Sequence, residues 1–283
     1  MPLEPASTGA PESAWTCPSC ASTVTTRFCG NCGERRITEA AAEPKRSFVG
    51  RLLASLRALA SPPGLLTADW LRGRRVGYVA PLSLFLWVNV AFFLVQSASG
   101  LGILTWPLRA HLSDDSIAWL TTRLFAEHRP GLAASSAAYA DIFNVLESVH
   151  AKSLVIVMVP AFATVLGVLL LDRQQPFQHA LTFALHFFAF ALLWLCALFP
   201  TVAIALRLIV TIGMAQPSPR AMDLAVSGLE AAVLAWYLYV ALDTVFGLSR
   251  LRRLLSVFLL VGALFVILKA YHVVVFAVTL YST

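Results

Sequence analysis

Five apolar runs dominate the chain, and each is long enough to cross a lipid bilayer as a helix. A spanning α-helix needs about 20 mainly apolar residues, and the runs reach this length with few charged positions. This pattern predicts an all-α polytopic membrane protein with about five transmembrane helices. The predicted spans cover residues 79–98, 153–171, 180–206, 225–246 and 254–280.

The chain before the first span is polar, small or basic in character. Residues 1–16 show no apolar periodicity and predict a disordered tail, and residues 37–46 predict a linker. Leucines at spacings of three and four predict a basic amphipathic helix and collar over residues 47–78. Such a helix either lies flat in the membrane interface or packs on the inner face of the membrane domain.

A long segment, residues 99–152, separates the first two predicted spans. Its apolar residues recur at helical spacing around Ile117 and again within residues 138–149. We therefore expect an extracytoplasmic segment of two amphipathic helices. Its charges are mixed in sign, so they indicate no electrostatic preference for a ligand.

Lysines and arginines are concentrated on one side of the predicted spans. Most of them lie before the first span and in the loops that hold Arg173 and Arg250. Because cytosolic segments of membrane proteins are enriched in these residues, we expect the N-terminus in the cytosol. No secretory signal is recognisable ahead of the first span, so this span is expected to act as its own insertion signal.

The composition supports a membrane location. Of 283 residues, 58% are hydrophobic and 13% are charged, against roughly 45–50% and 25% in soluble domains. The formal net charge of +6 arises mainly in residues 44–78, beside the first span. Anionic headgroups attract such basic residues by about 1 kcal/mol each. We therefore expect the lipid bilayer, and not nucleic acid, to be the partner of this patch.

Four cysteines near the N-terminus form the strongest motif. Cys17 pairs with Cys20 and Cys29 with Cys32 in two Cys-x-x-Cys units, which predicts a zinc ribbon over residues 17–36. Four protein ligands close the coordination sphere, so we expect one structural Zn²⁺ per chain. A reducing cytosol favours metal binding over disulfides, although the same thiols could also form a redox switch.

Further motifs follow the ribbon. A Pro-Gly dipeptide precedes the run GRRVGYVAP at residues 73–81, which fits Gly-x-Arg-x-x-Tyr-x-x-Pro. Together with the cysteine pairs and the His-x6-His run at 179–187, these motifs resemble a bacterial family of uncharacterised membrane proteins. The resemblance extends to residues 160–163 and 237–242. It implies a multi-pass protein of the bacterial cytoplasmic (inner) membrane and lends no activity.

Two histidines and an aspartate fall inside the predicted spans. His179 and His186 lie on nearly the same helix face, about 10 Å apart along the axis, which is too far for both to bind one metal ion. Asp243 lies at a comparable depth, where the resemblance implies a basic residue. The three could form an intramembrane polar site that relays protons or holds a cation. Alternatively, they could fix helix packing through hydrogen bonds.

Four charged or titratable residues are expected near the outer ends of the spans. Pairing of Glu230 with Arg207 or Lys269 would lower the cost of charge inside the membrane, and His272 lies in the same region. Such a cluster could bind an anion. The long side chains could instead reach the interface without any partner.

The motifs favour a binding function over an enzymatic one. The sequence holds no nucleotide-binding or hydrolase signature, and we do not expect an enzyme. We predict an interaction, assembly or regulatory protein whose ribbon binds a cytosolic protein partner. The alternative is a transporter or channel for protons, metal ions or small solutes that uses His179, His186 and Asp243. Five spans are few for a transporter, and a homo-oligomer could supply the rest.

Overall fold

A computed structural model of the chain describes residues 14–17, 19–34, 36, 47–99, 102, 104–131, 136–212 and 218–283. The predicted linker at 37–46 and most of the predicted tail at 1–16 lie outside the described residues.

The N-terminal cysteine segment folds as a small unit with its own core. Strands β1 (Trp15–Thr16) and β2 (Thr23–Val24) form an antiparallel hairpin, with Trp15 opposite Val24. Val24 is buried together with Cys17 and Cys29. This core is too small to stabilise a fold by apolar burial alone, so the cysteines must provide the remaining stabilisation.

Two helices precede the first span. Helix α1 (Phe48–Ala60) begins at Ser47, whose hydroxyl accepts a hydrogen bond from the Gly50 N–H at 3.2 Å. A second, shorter helix, α2 (Leu65–Leu71), follows after a left-handed Gly64. The first of these helices was predicted from the leucine pattern, whereas the second was not.

Helix α1 combines the two arrangements that its amphipathic pattern allowed. One face is buried on the membrane domain through Ser55, Ala58 and Leu59. The opposite face exposes Val49 and Leu53, each 61% accessible. An apolar face of this kind suits the boundary between headgroups and acyl chains.

Five helices in the described ranges are long and apolar enough to cross a membrane, with mean hydropathies from 1.6 to 2.4. The predicted helical membrane fold is therefore confirmed. The spans are α3 (Pro81–Ser99), a continuous pair α6 (Ala137–Leu154) and α7 (Met158–Leu169), α8 (Phe177–Thr211), α9 (Pro219–Phe246) and α10 (Arg250–Ser282).

The second span differs in extent from its predicted range of 153–171. Helix α6 begins at Ala137 and continues through a 3-10 turn (Val155–Val157) into α7, so that one helical segment of 33 residues results. Such a segment is about 50 Å long, whereas the hydrocarbon core is about 30 Å thick. Its polar first half, which hydropathy alone excluded from the span, therefore extends beyond the bilayer core.

The segment between the first two spans, which the sequence predicts to be extracytoplasmic, is helical. It contains α4 (Leu108–Ser113) and α5 (Ala118–His128), which pack on the C-terminal part of α10 and, in the case of α4, on α6. Phe143 and Phe276 lie fully buried beneath them. We call α4, α5 and the first half of α6 the outer cap, after the side on which the sequence predicts it.

Helix α8 is the centre of the membrane domain. It packs against α3 on one side and α7 on the other, and α10 covers α6, α7 and α9. Stacked rings of Phe162 and Phe187, 4.9 Å apart, fill the contact between α7 and α8. Because no water is released when helices associate in lipid, the hydrophobic effect does not drive this contact, and close van der Waals packing holds the helices together.

The short helix α2 packs into the membrane domain. It contacts α8, α9 and α1, and Leu66, Thr67, Ala68 and Asp69 are buried in these contacts. Gly64 has φ +83°, and a Cβ atom at this position would lie 2.8 Å from Ala241 Cα in α9. Only glycine permits both this backbone conformation and this approach.

We expect Gly64→Ala to destabilise the protein, because a side chain at positive φ costs about 1–2 kcal/mol and the Cβ would also collide with α9 backbone. The measurement is the thermal unfolding midpoint in detergent. Gly77→Ala is the matched control, since a Cβ there meets nothing within 4 Å. Equal midpoints for both variants would contradict the close packing of α2.

Candidate metal centre and buried polar junctions

The four cysteines of the ribbon converge on one point. Their sulfur atoms all lie within 4.8 Å of one another, with Cys17 Sγ 3.4 Å from Cys32 Sγ and Cys20 Sγ 3.5 Å from Cys29 Sγ. In a tetrahedral site with metal–sulfur bonds of about 2.3 Å, sulfurs stand about 3.8 Å apart. The arrangement therefore fits a single metal ion with four thiolate ligands.

Two similar backbone turns present the thiols. In the first, the Cys17 N–H donates to the Ser22 carbonyl at 2.9 Å and the Ala21 N–H donates to the Cys17 carbonyl at 2.8 Å. The second turn repeats these bonds from Cys29, with Gly33 in the place of Ala21. Both Ala21 (φ +58°) and Gly33 (φ +76°) adopt the left-handed conformation, which turns the chain sharply after each cysteine pair.

The ribbon packs directly on the collar, which is the segment 72–80 between α2 and the first span. A Cβ atom at Gly33 would lie 2.5 Å from Arg75 Cβ and 2.8 Å from the Gly73 carbonyl oxygen. Arg75 is in turn positioned over the Trp70 ring, with 5.5 Å between its guanidinium carbon and the ring centroid. The metal centre is therefore held against α2 and the collar.

A buried carboxylate orders the collar itself. The Tyr78 hydroxyl donates to Asp69 Oδ2 at 2.9 Å, and Arg74 Nη1 lies 3.3 Å from Asp69 Oδ1. Close by, the Val79 N–H donates to the hydroxyl of the fully buried Ser55 at 2.9 Å. These bonds give the glycine-arginine-tyrosine run of residues 73–81 a structural role that its sequence did not reveal.

Helix α2 also forms a hydrogen bond inside the membrane domain. Thr67 Oγ1 lies 2.9 Å from Nδ1 of His186 in α8, and both residues are about 1% exposed. The second ring nitrogen of His186, Nε2, has no protein partner in the part of the chain that the structure describes. The partner of this intramembrane histidine therefore comes from before the first span.

The other two residues of the predicted intramembrane site have their own partners. His179 Nδ1 lies 2.8 Å from Gln175 Oε1, one turn earlier in the chain. Asp243 pairs with Arg253 at 2.5 Å, and Arg253 also lies over the Tyr239 ring. Across the described ranges no hydrogen bond or ion pair joins His179, His186 and Asp243, and a common site for them stays a prediction.

Two of the four predicted outer residues lie together under the outer cap. Lys269 Nζ lies 2.6 Å from Asp114 Oδ2 and 4.5 Å from the Trp106 ring centroid. The His272 ring stacks on the same Trp106 ring at 4.0 Å.

The remaining two outer residues, Arg207 and Glu230, are apart from this cluster. Arg207 is exposed and Glu230 is partly buried. No ion pair links Glu230 to Arg207 or Lys269 within the described residues. The predicted anion site thus remains untested, and the structure assigns Lys269 a different carboxylate from the one proposed.

Sequence reasoning missed two buried polar residues of the outer cap. His111 is 0% and Glu147 1% exposed, and 3.8 Å separates His111 Nε2 from Glu147 Oε1. The Trp106 N–H donates to the same oxygen at 2.9 Å, and the Leu108 N–H donates to Asn144 Oδ1 at 2.8 Å. Asn144 and Glu147 are spaced three apart and so lie on one face of α6, which is the signal that could have indicated this contact.

Residues 50–93 match a family model described as "Protein of unknown function (DUF3667)". The matched stretch runs from α1 through α2 and the collar into α3, and it confirms the expected similarity to an uncharacterised family over that part of the chain. No curated protein matches the chain. No solved structure matches it either.

We expect Thr67→Val to lower the free energy of unfolding by about 1–3 kcal/mol, because it leaves a buried His186 nitrogen without its partner. The measurement is denaturation in detergent, followed by tryptophan fluorescence. Thr164→Val is the control, since the Thr164 hydroxyl is exposed and bonds only within its own helix. A loss no larger than that of the control would show that the bond does not stabilise the fold.

The pair between Asp114 and Lys269 predicts a pH dependence. Burial opposes ionisation of Asp114, but hydrogen bonds from Lys269 and Ser116 outweigh it and lower the Asp114 pKa from 3.8 to about 2. A carboxyl with a lowered pKa stabilises the fold above its ordinary pKa, and this stabilisation is lost as the pH falls through the folded value.

We therefore expect Asp114→Asn to lower the unfolding midpoint by a constant amount from about pH 5 to about pH 8, and by less as the pH falls from about 4 towards 2. The neighbouring exposed variant Asp115→Asn is the control. A difference between wild type and Asp114→Asn that grows on acidification would contradict the assignment.

Proposed function

We propose that the chain is a non-enzymatic protein of the bacterial inner membrane whose structural zinc ribbon binds a protein partner at the cytosolic face. The observation that carries this proposal is the closed four-cysteine centre that packs on the collar of the first span. A metal with four protein ligands has no open position for substrate. The centre is therefore suited to holding a binding surface in place.

The cysteine geometry supports zinc, and a reducing cytosol would keep the four thiols free to bind it. Tetrahedral thiolate sites favour zinc or iron–sulfur chemistry, and a single ion with four cysteines in two short loops is the common structural zinc arrangement. The arginines of the collar support the cytosolic placement, because positively charged segments are retained on that side.

The ribbon also presents a free face for a partner. Thr23, Thr25 and Asn31 are exposed, whereas Gly33 packs against the collar. Binding of a partner at the exposed face would change the position of the collar. Through α2 it would also change the hydrogen bond between Thr67 and His186. This continuity favours a role in assembly or regulation, in which the occupancy of the ribbon biases the membrane domain.

A transport function for protons, metal ions or small solutes is the second hypothesis. The observation that favours it is the buried His186 Nε2, which has no partner among the described protein atoms. Flux into liposomes that His186→Ala abolishes and Thr164→Val leaves intact would support this hypothesis. Flux that is absent in wild-type liposomes would exclude it.

We expect the purified protein to contain one zinc ion per chain, because the four thiolates form one tetrahedral site. Mass spectrometric metal analysis should show its loss in Cys17→Ser/Cys32→Ser. Cys196→Ser and His179→Ala/His186→Ala are controls that should retain it. Iron in place of zinc, or zinc retained without the ribbon cysteines, would overturn the assignment.

Site-specific photo-crosslinking in cells tests the binding function. A crosslinking residue at Thr25 or Asn31 should capture the same cytosolic protein, and the product should disappear in the Cys17→Ser/Cys32→Ser background. The same residue at Asp115 in the outer cap is the control. If the ribbon positions give no product, or give the one that Asp115 gives, the proposed partner does not exist.

A further inference from the structure

A cleft of about 390 Å³ separates the ribbon from the collar. Arg27, Phe28 and Gly30 line it on the ribbon side, and Arg72 and Arg75 line it on the collar side. Three arginines from two different parts of the chain thus face one small space.

Three arginines and no carboxylate line this cleft, and their three positive charges outnumber the net charge of about −2 that a zinc ion with four thiolates would carry beside them at Cys29. The nearby Asp69 already pairs with Arg74 and accepts from Tyr78. Within the described residues no ion pair engages the three arginines of the cleft. Guanidinium groups bind phosphate with paired, charge-assisted hydrogen bonds, so a phosphate group is the ligand chemistry that fits.

The walls of the cleft are held at a fixed separation. Gly33 lies against Arg75 and Gly73 on one side, and a Cβ at Gly73 would lie 3.6 Å from Phe28 Cβ on the other. Arg75 is further held by the Trp70 ring. Because these contacts order Arg75 before a ligand arrives, less conformational entropy is lost on binding.

The position of the cleft indicates where its phosphate comes from. The collar leads into α3 at Pro81, so the cleft lies beside the start of the first span. Phe48 of the interfacial helix α1 contacts Trp87 of α3, with 5.8 Å between the ring centroids. This contact holds the basic helix α1 against the first part of the span, so α1 and the collar both lie where the span enters the bilayer and meets the headgroups.

We infer that the cleft between the ribbon and the collar binds the phosphate of an anionic lipid headgroup. The lipid then acts as a third component that joins the ribbon to the membrane surface. Only the choice of leaflet rests on the proposed cytosolic placement. Binding itself can be measured on the purified chain without any protein partner, so its outcome is separate from that of the crosslinking experiment.

The test is binding of phosphatidylglycerol and phosphatidylcholine to the full chain in neutral detergent, measured by native mass spectrometry and by the thermal midpoint. We expect preferential binding of phosphatidylglycerol, weakened about tenfold or more in Arg27→Gln/Arg72→Gln because charge-assisted bonds are lost. The control Arg109→Gln/Arg123→Gln removes two charges from the outer cap and should bind as wild type does.

Zinc content and the unfolding midpoint without lipid establish whether Arg27→Gln/Arg72→Gln is folded. If this variant is unfolded, the salt dependence of lipid binding to the wild type is the test. Added salt must then weaken the binding of phosphatidylglycerol and leave the binding of phosphatidylcholine unchanged. Equal binding of the two lipids, or an unchanged double variant, overturns the inference. It is also overturned if inorganic phosphate or a polyglutamate peptide stabilises the chain as much as phosphatidylglycerol does, because the cleft would then serve a soluble anion.

Discussion

The buried hydrogen bond between Thr67 and His186 is the interaction on which the packing of the N-terminal helices against the membrane domain depends. A titratable ring inside a membrane domain is costly unless its polar atoms find partners. Here the partner is supplied by α2, a helix too short to form on its own. The approach of Gly64 to Ala241 brings α2 close enough for this bond, so a segment before the first span becomes part of the membrane core.

The same segment links the membrane domain to the candidate metal centre. The buried Asp69 of α2 accepts from Tyr78 of the collar, and Gly33 of the ribbon packs against Arg75 of the collar. Both contacts are partly buried. Loss of the contact between Gly33 and Arg75 would therefore also weaken the packing of Asp69 and Tyr78. The family similarity at residues 50–93 covers α2 and the collar, the region in which these contacts concentrate.

Sequence reasoning succeeded where a property is local. The spans follow from apolar run length and the metal centre from cysteine spacing. It did not identify partners that a local pattern does not specify. The ion pair between Asp243 and Arg253 was not expected, and a common site for Asp243 and the two histidines stays a prediction. Likewise, the sequence after Pro63 did not predict α2, because the seven residues of this helix are helical only in contact with α8 and α9.

Hydrogen exchange measured with and without a metal chelator tests the link between ribbon and membrane domain most directly. The account predicts that a chelator raises amide exchange in the ribbon and also in residues 65–80, while the centre of α10 stays protected. Both changes should already be present in Cys17→Ser/Cys32→Ser without chelator. Exchange in residues 65–80 that stays unchanged while the ribbon unfolds would contradict the account, because α2 and the collar would then be independent of the metal centre.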